Sequence, residues 1–548
     1  MNAAVTPSLL GWWTSHGIPL ALDPQSVSDA LQELSEPLYI VNTTQGLALA
    51  RGGEGVIGTT PHDSRAYPVV GFVPPVHPEY LGDPAFCADH GLRYPYVSGG
   101  MAAGIGSEAI VEALAPAGML GIFGAAGLSL DRVELAIDRI QTNIPGLPYG
   151  FNLIHSPHDA ELERGVVDLY LRRGVRLAEA SAFLDLTLNV VRYRTHGIHR
   201  GPDGRIVTPN RLFAKVSRVE VASKFFAPPP AKMLSELVRQ GCLTLEQAQL
   251  AEHIPVAQDL TAEADSGGHT DNRPAVTLIP TMLQVRDRAM SQYRFAQPLR
   301  VGAAGGIATP ASAAAAFAMG AAYVLVGSVN QACVESGTCD AVRQMLADAE
   351  QADTTMCPAA DMFEMGVKVQ VLKRGTMFPM RATRLYELYR EYPSLEAIPA
   401  AERAALEKSI FKTSLDDVWN GTVRYFQERD PAQIKKAEKD PKHKMALVFR
   451  WYLGQSSRWA NQGLPERRLD YQIWCGPAMG AFNEWTKGTF LERPENRSVT
   501  VVGYNLLYGA AVMTRLQTLR SQGFPVPVEA FRIPPRELAD LKARLGLV

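Results

Sequence analysis

The side chains that combine a reactive group with freedom to use it crowd into one stretch of this sequence. His269 closes the run Glu263-Ala264-Asp265-Ser266-Gly267-Gly268-His269. Imidazole exchanges protons near neutral pH, and the two glycines before it give a turn that can carry the ring over a bound group. Two further glycine groups follow: Val301-Gly302-Ala303-Ala304-Gly305-Gly306-Ile307 and Val324-Leu325-Val326-Gly327-Ser328. Each succeeds a short apolar run and precedes a helix-like segment. Glycine lets backbone amides approach an anion, and the start of a helix adds positive potential. A single Gly-Gly is a common tight turn, but two such groups about twenty residues apart on consecutive strand ends point to a phosphate.

Three other positions bear on what that phosphate carries. Gly99-Gly100-Met101-Ala102 can let a flat ring lie against the backbone, or can be a flexible turn before a helix. Asn152 is polar within the apolar run Tyr149-Gly150-Phe151-Asn152-Leu153, where it can orient a ring or satisfy a buried backbone group. Lys215, in Leu212-Phe213-Ala214-Lys215-Val216, can stabilise the anionic form of a reduced flavin or be a strand-end surface lysine. The set reads as an FMN site. Gly305, Gly306, Gly327 and Ser328 take the phosphate, Gly100, Met101, Asn152, Lys215, Gly267 and Gly268 surround the ring, and His269 is the proton-handling group. No metal site is expected.

These residues need a scaffold that brings successive strand ends together. Apolar runs at residues 96–98, 119–123, 149–153, 176–180, 211–216, 254–258, 299–302 and 323–326 alternate with helical periods, among them 159–173 and 232–252. Eight β-units over about 250 residues match a (β/α)8 barrel, with the doubly wound sheet as the alternative, and barrel chemistry sits at strand C-termini. Residues 1–90 hold turn signals and the strand-like runs 38–41 and 69–73, giving a small mixed α/β region. The barrel is expected over 91–345. Helical periods then dominate (381–390, 399–411, 415–427, 444–452 and 501–522), so 346–548 reads as a helical accessory region docked on or over the barrel mouth.

Composition narrows the class. A chain of 548 residues with 46% hydrophobic and 20% charged residues can bury a large core, and a net charge of −2 gives no general attraction to nucleic acid or anionic lipid. The six cysteines lack a C-x-x-C pair and read as reduced thiols. Residues 1–19 show no secretion-signal pattern. Residues 308–329 are uncharged, but their alanine and glycine content reads as a barrel helix and a buried strand, not a membrane span. Two basic clusters remain, at residues 192–205 and 435–444. The second alternates with acids, so it reads as a solvated helical face or as a dock for an acidic partner.

At the glycine turns, Asn152 and Ser266-Gly267-Gly268-His269, the sequence resembles the flavin enzymes grouped with nitronate monooxygenases and flavin-dependent enoyl-acyl-carrier-protein reductases. It is more similar to the PfaD-type trans-acting enoyl reductases of polyketide and polyunsaturated fatty acid synthases. That likeness rests on residues 263–271, 368–379, 444–454 and 471–483 and runs over nearly the whole chain. The resemblance implies a bacterial, cytoplasmic enzyme using FMN and NADPH to reduce the α,β double bond of an enoyl thioester on an acyl carrier protein. His269 would then stand over the flavin as acid or as binder of the thioester carbonyl. Asp265 stands where simpler enoyl reductases of this barrel carry Glu, which leaves its role open. The alternatives are a nitronate oxidase and a non-catalytic docking component of a synthase. A dehydrogenase of the inosine-monophosphate type would need a loop cysteine that Cys333 and Cys339 do not supply.

Overall fold

Eight parallel strands close into a barrel in chain order: β1 (Tyr96–Ser98), β2 (Leu120–Phe123), β3 (Gly150–Ile154), β4 (Leu177–Ser181), β5 (Arg211–Val216), β6 (Asp259–Glu263), β7 (Arg300–Ala304) and β8 (Val324–Val326). The computed structural model describes residues 8–155 and 160–547. Seven strands coincide with the apolar runs. The sixth does not: it is expected at 254–258 and forms at Asp259–Glu263. Residues 254–257 are apolar because they are a buried connection, in which the Val256 and Ala257 amides donate to the carbonyls of Ala227 and Phe225. The strand itself begins and ends on a carboxylate, which hides it from a hydrophobicity reading.

Helices flank the barrel. The one expected from Asp159, a residue outside those described, runs over Ala160–Arg173. The period at 232–252 is two helices, Ala231–Arg239 and Leu245–Ala251, broken at Gly241 (φ +71°) and restarted by a Thr244–Gln247 capping box. Residues 308–329 resolve into helix Pro310–Ala318 followed by β8, and among the described residues no helix is long and apolar enough to cross a membrane.

The N-terminal region forms a five-stranded antiparallel sheet whose runs Leu38–Thr43 and Tyr67–Val73 pair directly, with helix Pro24–Gln32 capped by the Asp23 carboxylate. Beyond residue 345, where helices are expected to dominate, an antiparallel pair also occurs (Thr354–Pro358 and Lys368–Leu372). The helices there include Phe378–Glu391, Leu415–Arg429, Pro431–Lys439, Pro441–Gln462 and Ala478–Thr486.

Helix Val499–Ser521 does not lie at the mouth. Its N-terminus is capped by Glu335, whose carboxylate accepts from the Val499 amide (3.0 Å) and the Ser498 hydroxyl (2.7 Å). It then runs along the barrel flank between helices Glu108–Leu114 and Pro310–Ala318. A methyl group on Gly509 would stand 2.5 Å from Pro310, and one on Gly503 would stand 2.8 Å from the Met119 sulfur. On the other side the Tyr508 hydroxyl donates to the Gln32 carbonyl and Gln522 bonds both backbone groups of Phe72. This helix is apolar nearly all round because barrel and N-terminal sheet bury it from two sides. It occupies the place of the eighth barrel helix, and the chain between β8 and residue 499 is one long excursion.

Candidate active site

Strand alternation sorts the barrel interior into layers. At the N-terminal end Phe86 stacks on Tyr323 (centroids 4.3 Å apart) and closes the bottom. Above it Asp259 takes two bonds from Arg300 (2.6 and 3.1 Å) and pairs with His90 Nε2 (2.8 Å), while Arg300 also donates to Asp89. Burial alone would raise the Asp259 pKa, but His90 and Arg300 outweigh it and hold the carboxyl down at about 2.

The C-terminal layer carries Asn152 on β3, Glu179 on β4, Lys215 on β5 and Glu263 on β6. Lys215 Nζ lies 3.2 Å from Glu263 Oε1. Burial opposes the charge on Lys215, yet Glu263 and Glu179 overcome it and raise its pKa. Glu179 is fully buried. Its Oε2 receives the Gly100 amide (3.1 Å), Asn152 Nδ2 (3.2 Å) and the Ser181 hydroxyl (3.4 Å), whereas Oε1 has no partner among the described residues. Gly100 must lack a side chain here, since a Cβ would lie 2.8 Å from both Asn152 Cβ and Glu179 Oε2. Gly100 and Asn152 are thus joined to an acid that sequence reading passes over.

Gly268–His269 is not a free turn: it forms a short strand paired with Val369 and Gln370 of the distal antiparallel pair. The loop before it is pinned through Asp265, which accepts from Asn272 (2.8 Å) and Gln370 (2.8 Å), giving Asp265 a structural role. Residues 474–476 cross the same loop. A Cβ on Gly267 would be 2.8 Å from the Cys475 nitrogen, and one on Gly476 would be 2.8 Å from the Gly267 nitrogen, so two backbones meet where neither residue can carry a side chain. The Gly476 amide donates to the Ser328 hydroxyl (3.1 Å). The excursion after β8 is therefore built into the site.

His269 Nε2 lies 3.0 Å from Asp361 Oδ2, a residue between the two distal strands. Burial alone would lower the His269 pKa; the Asp361 hydrogen bond and charge, with Glu263 behind them, reverse that and raise it. The Asp361 pKa is lowered in turn, its burial overcome by His269. No spacing rule links residues 92 positions apart, so sequence reading misses this partner.

The expected phosphate cradle fits an anion. Gly305 and Gly306 have φ of +82° and +77°, and nothing stands within 4 Å of a Cβ built on Gly306 or Gly327. Among the described residues, the amides of Gly305, Gly306, Gly327 and Ser328 donate to no protein group. Four free donors on adjoining strand ends suit a phosphomonoester, and the orphaned Glu179 oxygen suits a polar ring edge, so the residues fit FMN. Met101 follows Gly100 at the same mouth, its carbonyl taken by the Gly106 amide.

The nitronate monooxygenase family profile matches residues 86–388, more than half of the chain and all eight barrel strands. The chain belongs to the nitronate monooxygenase family. Residues 392–471 match a second profile, that of the inserted helical domain of [acyl-carrier-protein] S-malonyltransferase. Among relatives of this family member, a polyunsaturated fatty acid synthase subunit from Thraustochytrium sp. is 49% identical over 448 residues, covering 80% of this chain and 30% of that one. The polyketide biosynthesis protein PksE of Bacillus subtilis is 47% identical over 444 residues, covering 80% and 58% respectively. The chain thus spans less than two thirds of the length of these curated relatives. The crystal structure of the enoyl reductase domain of MlnA, from the macrolactin cluster of Bacillus amyloliquefaciens, superposes with a TM-score of 0.77 at 39% identity, covering 80% of this chain and all of that one.

Proposed function

We propose that this flavin-barrel protein is an enoyl reductase that saturates the α,β double bond of enoyl thioesters presented on an acyl carrier protein, with FMN as bound cofactor and NADPH as reductant. The observation that carries this reading is the His269–Asp361 pair, a proton donor held at the mouth beside free phosphate-type donors. Its likeness to synthase subunits and to an enoyl reductase domain selects the substrate class. Bound FMN would supply the two-electron step between NADPH and the substrate β-carbon. Gly305, Gly306, Gly327 and Ser328 would hold its phosphate, while Lys215 presents a fixed positive charge near the ring. His269 completes the reduction. Asp361 occupies Nε2 and favours the protonated ring, leaving Nδ1–H to meet the thioester carbonyl and then deliver a proton to the α-carbon.

The carrier protein would approach over the helical excursion. On helix Pro431–Lys439 the side chains of Lys435, Lys436 and Lys439 are exposed and, among the described residues, make no ion pair. Lys442 and Lys444 are committed elsewhere, to the Tyr389 and Tyr392 carbonyls and to Glu396. The test is anaerobic visible spectroscopy. The FMN-loaded protein should bleach with NADPH and recover its colour on adding a crotonyl carrier-protein thioester. Bleaching without recovery, with recovery on another acceptor, would overturn the substrate assignment.

A further inference from the structure

The carboxyl of Glu179 is the one fully buried acid of the mouth layer, and its two oxygens are treated unequally. Oε2 collects three donors, from Gly100, Asn152 and Ser181; Oε1 is shielded from solvent and, among the described residues, bonded to nothing. A buried polar oxygen left without a partner costs roughly 1–3 kcal/mol, more when it is charged. The charged groups facing it are Lys215 on β5 and Glu263 on β6. Lys215 is spent on Glu263 at 3.2 Å, and no cation stands within ion-pair distance of Glu179 among the described residues. An ionised Glu179 would leave the layer with one uncompensated, buried negative charge. The three bonds to Oε2, at 3.1–3.4 Å, also have the length of neutral contacts and not the 2.7–2.9 Å of charge-assisted ones.

We propose that Glu179 is a neutral carboxylic acid whose Oε1–H donates a hydrogen bond to a carbonyl on the pyrimidine edge of the flavin ring. This inference rests on the flavin reading above. It gives the chain a cofactor-binding residue on β4, supported from behind by Gly100, Asn152 and Ser181. A donor at that edge favours the electron-rich reduced ring over the oxidised one, so it raises the flavin midpoint potential. The direction of the Glu179 pKa agrees: burial raises it, Glu263 adds to that, and Lys215 with the Gly100 and Asn152 bonds offsets only part.

The test compares wild type, Glu179→Gln and Glu179→Ala in three measurements: FMN affinity of the apoprotein by fluorescence quenching, flavin midpoint potential, and the infrared difference spectrum on reduction. Gln keeps the acceptor for Gly100, Asn152 and Ser181 and replaces Oε1–H with an amide donor. It should bind FMN within about threefold of wild type at a similar potential, whereas Ala should bind about tenfold or more weakly at a lower potential. Wild type should show a protonated-carboxyl band that Gln removes. The proposal is overturned if Ala matches wild type, if Gln is as impaired as Ala, or if the band is that of a carboxylate. A wild-type protein that binds no FMN would instead bring down the flavin reading itself. Circular dichroism of each apoprotein separates lost contacts from lost fold.

Discussion

The two ends of the barrel interior hold charged residues in similar number and treat them in opposite ways. At the N-terminal end Asp259, Arg300, His90 and Asp89 satisfy one another, and both oxygens of Asp259 are bonded. At the C-terminal end Lys215 and Glu263 pair, but among the described residues Glu179 keeps an idle oxygen and the neighbouring amides of Gly305, Gly306, Gly327 and Ser328 donate to nothing. Both layers lie in the same barrel. A closed network is what stability asks of buried charge, and an open one has unmet bonds that a ligand can complete. The type of residue does not tell the two ends apart; the state of its partners does.

The sharpest break of this contrast is His269→Ala. Turnover of an enoyl carrier-protein substrate should fall by about 10²–10⁴-fold with FMN still bound, and wild-type turnover would remove His269 from the chemistry. Next in size, Asp259→Ala takes two bonds from buried Arg300 and leaves it only Asp89 in the closed layer. It should cost about 3–5 kcal/mol in chemical denaturation, while protein that remains folded binds FMN normally. Equal damage to flavin affinity would mean that the two ends are not separable. Asp361→Asn tests the link between mouth and excursion. Without Asp361, burial governs His269 and its pKa drops, so the protonated acid is lost at lower pH. The alkaline limb of kcat/KM against pH should shift to lower pH, and an unmoved limb would exclude the pair as the titrating unit. Smallest, Lys435→Glu with Lys436→Glu lies outside both layers. It should raise KM about threefold to tenfold for carrier-bound substrate and leave a pantetheine thioester unchanged; equal effects on both would refute docking there.

Much of this was legible in the chain. Period and glycine placement locate seven strands and the loop of His269, because apolar alternation and positive-φ turns are local. The sixth strand escapes because Asp259 and Glu263 are its ends, while residues 254–257 imitate a strand by being a buried connection. Glu179 could have been found by the signal that marks Asn152 and Lys215, a polar residue at an inward position of an apolar strand, here Leu177-Ala178-Glu179-Ala180. Asp361 and the Gly267–Gly476 approach could not, since they depend on a tertiary crossing between distant segments.

Helix Val499–Ser521 has a consequence for how the molecule is made. The barrel strands are all synthesised by Val326, yet the helix that covers the flank between the first and last strands emerges roughly 170 residues later, a loop whose closure entropy grows only logarithmically with length. Until then Tyr96 and Met119 on that flank have no cover. The nascent barrel is left with an apolar seam until that helix is made and packs against it. The contacts that complete the mouth, Gly267 with Gly476 and His269 with Asp361, all lie before residue 499, so truncation there would uncover the flank without removing a residue of the site.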